Sequence, residues 1–158
     1  MDEWQLPWSA ECLCGQVKMR VTEAPLVSMA CHCKGCQKLT SGAYSLSLML
    51  PDSGFEVTAG EPVIGALHGE NDYFYCGHCL SWLFTRPANA GPLVMFRPTM
   101  LEDASWVVPF IESFTAEKLP GVATGASRSF EGFPKMEDYA AIMDAYARDG
   151  VRPKDTEA

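Results

Sequence analysis

Cys31-His32-Cys33-Lys34-Gly35-Cys36 is the stretch on which the reading of this chain turns. Three thiols within six residues are placed to bite one metal ion. Strand alternation puts i and i+2 on one side, and a tight turn brings i and i+3 together. Two further clusters, Cys12-x-Cys14 and Cys76-x-x-Cys79, raise the total to seven cysteines. An odd count gathered in clusters fits disulfides poorly. The opening residues Met1-Asp2-Glu3-Trp4 lack the basic and apolar regions of a secretory signal. The expected setting is therefore cytoplasmic, where thiols stay reduced and metal is their natural partner. Gly15, Gly35 and Gly77 adjoin the clusters, where a residue without Cβ suits tight ligand turns.

Outward from that stretch the pattern is mainly β. Val17, Met19 and Val21 alternate with Lys18, Arg20 and Thr22, as do Tyr44, Leu46, Leu48 and Leu50 with Ser45, Ser47 and Met49. Period-two alternation marks strands with one face buried. Leu26 to Cys31 reads as a strand leading into the thiol stretch, and Lys34 to Leu39 as a short helical turn. Further short strands are expected at Phe55 to Thr58, Val63 to His68, Tyr73 to Cys76, Trp82 to Thr85, Leu93 to Arg97 and Val107 to Phe114. Turn residues recur between them, which suits antiparallel sheets better than βαβ units. One amphipathic helix is expected over Lys135 to Arg148, with Met136, Tyr139, Ala140, Met143 and Ala147 as its core face. The Gly- and Ser-containing stretch from Pro120 to Pro134 reads as a long loop, a candidate lid.

Length and composition bound the class. At 158 residues the expected organisation is one domain over residues 1–150 and a flexible tail over 151–158. Hydrophobic residues make up 47% and charged residues 20%, as in ordinary globular proteins. No apolar run approaches the roughly 18 residues that span a bilayer. A net charge of -8 argues against a nucleic-acid partner, which would call for a basic face.

Seven cysteines divide into four and three, the ligand counts of a closed structural zinc and an open catalytic one. Three groupings are compatible with the spacing. Cys12, Cys14, Cys76 and Cys79 close one site and leave Cys31, Cys33 and Cys36 on another metal. Alternatively, Cys33, Cys36, Cys76 and Cys79 form a ribbon of two knuckles, stranding Cys12, Cys14 and Cys31. In a third arrangement a histidine completes the trio. His32 and His78 lie inside ligand turns, where they point away from the neighbouring thiols, and His68 is the freest of the three.

These clusters, read in order, resemble a known family. Glu11-Cys12-Leu13-Cys14-Gly15, Cys31-His32-Cys33-Lys34-Gly35-Cys36 followed by Ser41-Gly42-Ala43, and Phe74-Tyr75-Cys76-Gly77-His78-Cys79 are similar to the motif series of the glutathione-dependent formaldehyde-activating enzymes. The resemblance implies an Mss4-like fold of small antiparallel β-sheets pinned by zinc, with the C-terminal helix added. It implies two Zn²⁺ ions: a structural one on Cys12, Cys14, Cys76 and Cys79, and a catalytic one on Cys31, Cys33 and Cys36. It further implies a carbon-sulfur lyase-type activity in which glutathione and formaldehyde give S-(hydroxymethyl)glutathione. Two departures stand out: Leu80-Ser81-Trp82 replaces a Gly and a small polar residue after the last knuckle, and Phe110-Ile111-Glu112-Ser113-Phe114 lacks the family's histidine.

Three thiolate donors weaken a metal's Lewis acidity, so such a site suits a soft thiol better than water. For the carboxylates of a thiol such as glutathione, Lys34 and Lys38 are the candidate contacts, with Arg86 and Arg97 the other cations near the clusters. Trp82, Tyr44 and Phe74 are candidate cleft walls. The competing reading is a zinc-pinned interaction module with two structural metals and no catalysis.

Overall fold

The computed structural model describes residues 3–65 and 69–154. The described residues are mainly β and form two sheets. Strands β1 (Trp8–Glu11), β2 (Lys18–Val21) and β5 (Phe55–Ala59) form a three-stranded antiparallel sheet in the order β1-β2-β5. The second sheet has eight strands. Besides β3 (Val27–Cys31) and β4 (Ser45–Pro51), it holds β6 (Pro62–Gly65), β7 (Asp72–Cys76), β8 (Trp82–Arg86), β9 (Leu93–Phe96), β10 (Ile111–Ser113) and β11 (Arg128–Ser129). Their order is β11-β10-β3-β4-β9-β8-β7-β6. Two helices, α1 (Lys34–Thr40) and α2 (Tyr139–Asp149), complete the fold.

The strand pairings are antiparallel, as expected, except around β10. β10 runs parallel to both β3 and β11, so the larger sheet is mixed. Parallel neighbours require a long connection. The stretch between β10 and β11 supplies it: part of the segment from Pro120 to Pro134 is not a free loop but one edge strand of the sheet.

The core joins the two sheets. Phe55 of β5 packs on Phe84 and Phe96 of the larger sheet, at centroid separations of 4.8 and 5.7 Å. Val21, Val27, Leu48, Leu83 and Ile111 are fully buried around them. At about 25 cal/mol per Å² of apolar surface, such burial is the main driving force of folding.

Two sequence readings shift in register. α2 begins at Tyr139 after a 3₁₀ turn over Met136–Asp138, and it buries Ile142, Ala145 and Tyr146. Met136 is 79% exposed, and Ala140 and Ala147 also face solvent, so the expected core face was rotated. Trp4 and Phe110 set that orientation by receiving the Tyr146 ring, at 5.7 and 5.5 Å. In β4 the serine face is not the wet one, because Ser45 and Ser47 are buried in the middle of the sheet. Of the tail, residues 151–154 are described, and Arg152 donates to the Gly150 and Ala147 carbonyls at the end of α2 while lying 3.8 Å over the Trp4 ring. The expected strand from Val63 to His68 is described only as far as Gly65.

Candidate metal centres

Two turns bring the outer cysteines together. Cys12 and Cys14 sit in the β1–β2 connection, held by the Cys12 N–H donating to Val17 O and Gly15 N–H to Cys12 O, with Gly15 in the left-handed region at φ 76°. Cys76 and Cys79 sit in the β7–β8 connection, where the Cys76 N–H donates to Ser81 O and the Leu80 N–H to Cys76 O. Cys12 Sγ lies 3.5 Å from Cys14 Sγ, and Cys14 Sγ lies 3.7 Å from Cys76 Sγ across 62 residues of chain. All four sulfurs fall within 4.8 Å of one another, a set that could hold a metal ion. Leu13 N–H donates to Ser81 Oγ at 3.2 Å, tying the two turns directly. The grouping is closed by topology, since β1 and β7 belong to different sheets.

Cys31, Cys33 and Cys36 form a second group, again with sulfurs within 4.8 Å. Cys31 ends β3, and Cys33 caps α1, its Sγ accepting the Cys36 N–H at 3.3 Å. Burial pushes the Cys33 thiol up and outweighs that backbone hydrogen bond, which pulls the other way. The Cys31 thiol is pulled down to about 5 by the hydrogen bond it receives from Cys36, and that same bond together with burial pushes the Cys36 thiol up. Among the described residues no fourth Cys, His, Asp or Glu joins this group. His68 lies outside the described residues, and His78 is exposed.

His32 is fully buried and serves as a strut. Its Nε2–H donates to Glu112 Oε2 at 2.8 Å, and Gln37 Nε2 donates to its carbonyl at 2.7 Å. Burial works against the charge of Glu112. Hydrogen bonds from Ser129, His32, Thr124 and Lys118 outweigh it and hold the carboxyl down at about 2. Thr124 and Ser129 both come from the segment read as a lid, which therefore clamps Glu112 from the sheet edge. Glu112 escaped the sequence reading because its only signal was the missing family histidine in that segment.

The walls of the trio come from strands far along the chain. Trp82 and Tyr73 are buried against Cys33 and Cys36, with Tyr75 and Phe114 packed beside them. Tyr75 stacks on Trp82 with rings 15° apart. Phe74, the expected wall residue, instead stacks on Phe84 in the main core, because its neighbours Tyr73 and Tyr75 occupy the other face of β7. Tyr44 approaches the His32 ring at 5.4 Å. Lys34 and Lys38 are exposed on α1, and Arg86 is engaged with Asp52. The cation at the trio is Arg97, buried over the Trp82 ring at 3.6 Å.

Among the described residues no helix is long and apolar enough to cross a membrane. A family model described as glutathione-dependent formaldehyde-activating enzyme matches residues 7–117. A crystal structure of a Rhodobacter sphaeroides protein, a structural genomics target, is 14% identical, with a TM-score of 0.51 over 77% of this chain and 98% of that one. At that identity the likeness speaks to the fold alone. No curated protein matches the chain by sequence.

Proposed function

Because the chain belongs to the glutathione-dependent formaldehyde-activating enzyme family, we propose that it is a zinc-dependent enzyme of carbon-sulfur lyase type, joining a small thiol such as glutathione to an aldehyde such as formaldehyde. The observation that carries the reading is the contrast in number: among the described residues four cysteines make up one group and three the other. Zinc is supported by the donor set and by distance. Four sulfurs about 2.3 Å from a tetrahedral zinc stand about 3.8 Å apart; in the quartet Cys14 lies 3.5 Å from Cys12 and 3.7 Å from Cys76, and all four sulfurs fall within 4.8 Å of one another.

In this reading Cys12, Cys14, Cys76 and Cys79 pin the two sheets, and Cys31, Cys33 and Cys36 hold the catalytic ion. When bound there, zinc would grip a soft thiol and lower its pKa, supplying the nucleophile at neutral pH. The sulfur lone pair then forms the carbon-sulfur bond, the carbonyl π pair moves to oxygen, and that oxygen takes up the proton given up by the thiol. The chain's own part is to orient and enclose. Trp82, Tyr73 and Tyr75 wall the trio, while His32 and Glu112 fix the loop that carries Cys31 and Cys33. Cysteines gathered in metal-ready groups support a cytoplasmic setting.

The test is NMR observation of formaldehyde and glutathione with zinc-loaded protein. Acceleration of S-(hydroxymethyl)glutathione formation, lost in Cys33→Ser, is the expected result. An uncatalysed rate with both zincs bound would remove this activity.

A further inference from the structure

Arg97 follows β9 in the middle of the eight-stranded sheet and is 7% exposed. Its Nη1 donates to Ser47 Oγ at 2.6 Å and to Leu46 O at 3.2 Å, and its Nη2 to Thr85 Oγ1 at 3.2 Å. The guanidinium plane covers Trp82 at 3.6 Å, and Nε is buried with no hydrogen-bond partner among the described residues. Hydroxyls, a carbonyl and a ring face satisfy N–H groups but supply no full negative charge. A buried cation without a counter-charge is strongly disfavoured. No carboxylate pairs with Arg97 among the described residues; the groups that face it are the Cys36 and Cys31 side chains and the phenols of Tyr73 and Tyr75, with Trp82 packed between the guanidinium and the trio. Burial lowers the guanidinium to about 10, so it remains charged at neutral pH.

The charges balance. Zn²⁺ with three thiolates carries about -1, and Arg97 returns the assembly to neutral. A fourth ligand that is itself an anion then leaves -1, where without Arg97 it would leave -2 in a buried place. We propose that Arg97 is the resident counter-ion of the trio's metal centre, a positioning residue that selects an anionic fourth ligand, a thiolate, over a neutral one. The inference deepens the proposed function and rests on its assignment of the trio as a metal centre. Among the described residues the quartet has no equivalent: its Cys14 is exposed, and the nearby Lys18 is a surface residue paired with Glu11.

The experiment uses cobalt-loaded whole protein, wild type, Arg97→Lys and Arg97→Met, titrated separately with 2-mercaptoethanol and with imidazole. Visible ligand-field and charge-transfer bands report binding, and the quartet's bands serve as an internal control. Removing one unit charge several ångströms away, at an effective dielectric of about 20, should weaken mercaptoethanol by about 10- to 100-fold. Imidazole should change little, and Arg97→Lys should recover most of the thiolate affinity. Equal losses for both ligands, or mercaptoethanol binding at the wild-type level in Arg97→Met, would overturn the inference while leaving the proposed function standing. A wild-type trio that takes neither ligand would overturn both. If Arg97→Met does not fold, the Arg97 Nε–H resonance of the zinc-loaded wild type decides: a shift on adding mercaptoethanol supports the counter-ion role, and no shift ends it.

Discussion

The quartet and the trio use the same side chain to opposite ends. Cys12, Cys14, Cys76 and Cys79 knit a hairpin of the small sheet to one of the large sheet, with Cys14 exposed and water free to solvate the excess charge. Cys31, Cys33 and Cys36 join no distant segments to each other. They sit on one strand-to-helix junction, walled by Trp82 and Tyr73 and faced by a buried guanidinium. On the proposed reading, four ligands across two sheets make a staple, while three on one junction make a place where a further ligand can bind. Ligand number, span and burial together separate structure from chemistry.

The sharpest way to break that contrast is to remove one ligand from each group. Cys12→Ser is expected to unfold the protein, since structural zinc contributes about 10–16 kcal/mol in small domains, against a total stability of about 5–15 kcal/mol. Cys33→Ser is expected to stay folded with one metal. Metal analysis and circular dichroism check both, and equal collapse of the two variants would make the trio structural as well. Graded chelation should strip the zinc-loaded wild type in the same order, with the trio's ion leaving before the quartet's, as read by metal content against the unfolding temperature.

A smaller effect concerns the trio's strut. Glu112→Gln should cost about 2–3 kcal/mol, since hydrogen bonds to a buried charge are the strong kind. The sign of its pH dependence follows from a folded pKa depressed to about 2 from 4.5. The stabilisation is complete above the unfolded value and is lost as pH falls from about 4.5 towards 2. Denaturant midpoints over that range should fall more steeply in the wild type than in Glu112→Gln; parallel curves would show that the carboxylate does not carry it.

The smallest effect belongs to the quartet's turn. Leu80 adopts φ 60° and is 70% exposed, so it bears left-handed strain without packing in return. Leu80→Gly should gain about 0.5–1 kcal/mol, the left-handed penalty of about 1–2 kcal/mol less the extra freedom of an unfolded glycine. An unchanged or lower unfolding midpoint would refute this. Here the departure from the family pattern has a local meaning: the position where glycine is common is one that wants positive φ.

Much of the strand pattern was legible because alternation is local. β2, β4, β7 and β8 lie where Val17 to Thr22, Tyr44 to Leu50, Tyr73 to Cys76 and Trp82 to Thr85 suggested, within a residue or two. Which face counted was not legible. Ser45 and Ser47 read as the wet side of β4, yet Ser45 hydrogen-bonds Cys36 and Ser47 receives Arg97. The helix face failed for a related reason, because α2 is oriented by Trp4 and Phe110, far away in sequence. The parallel placement of β10 between β3 and β11 left no periodic trace, being three residues long and paired with partners more than fifteen residues away.

By itself, the sequence determined that seven thiols stand in three metal-ready clusters and that short strands surround them, because ligand spacing and alternation act over a few residues. Tertiary structure decided that Cys14 meets Cys76, that Glu112 braces His32, and that the cation at the trio is Arg97 rather than Lys34 or Lys38. Lys34 and Lys38 are nearest along the chain but stay in water, where an ammonium is best solvated. Arg97 reaches the trio because sheet pairing lays β9 between β4 and β8 and leaves its guanidinium no path to solvent.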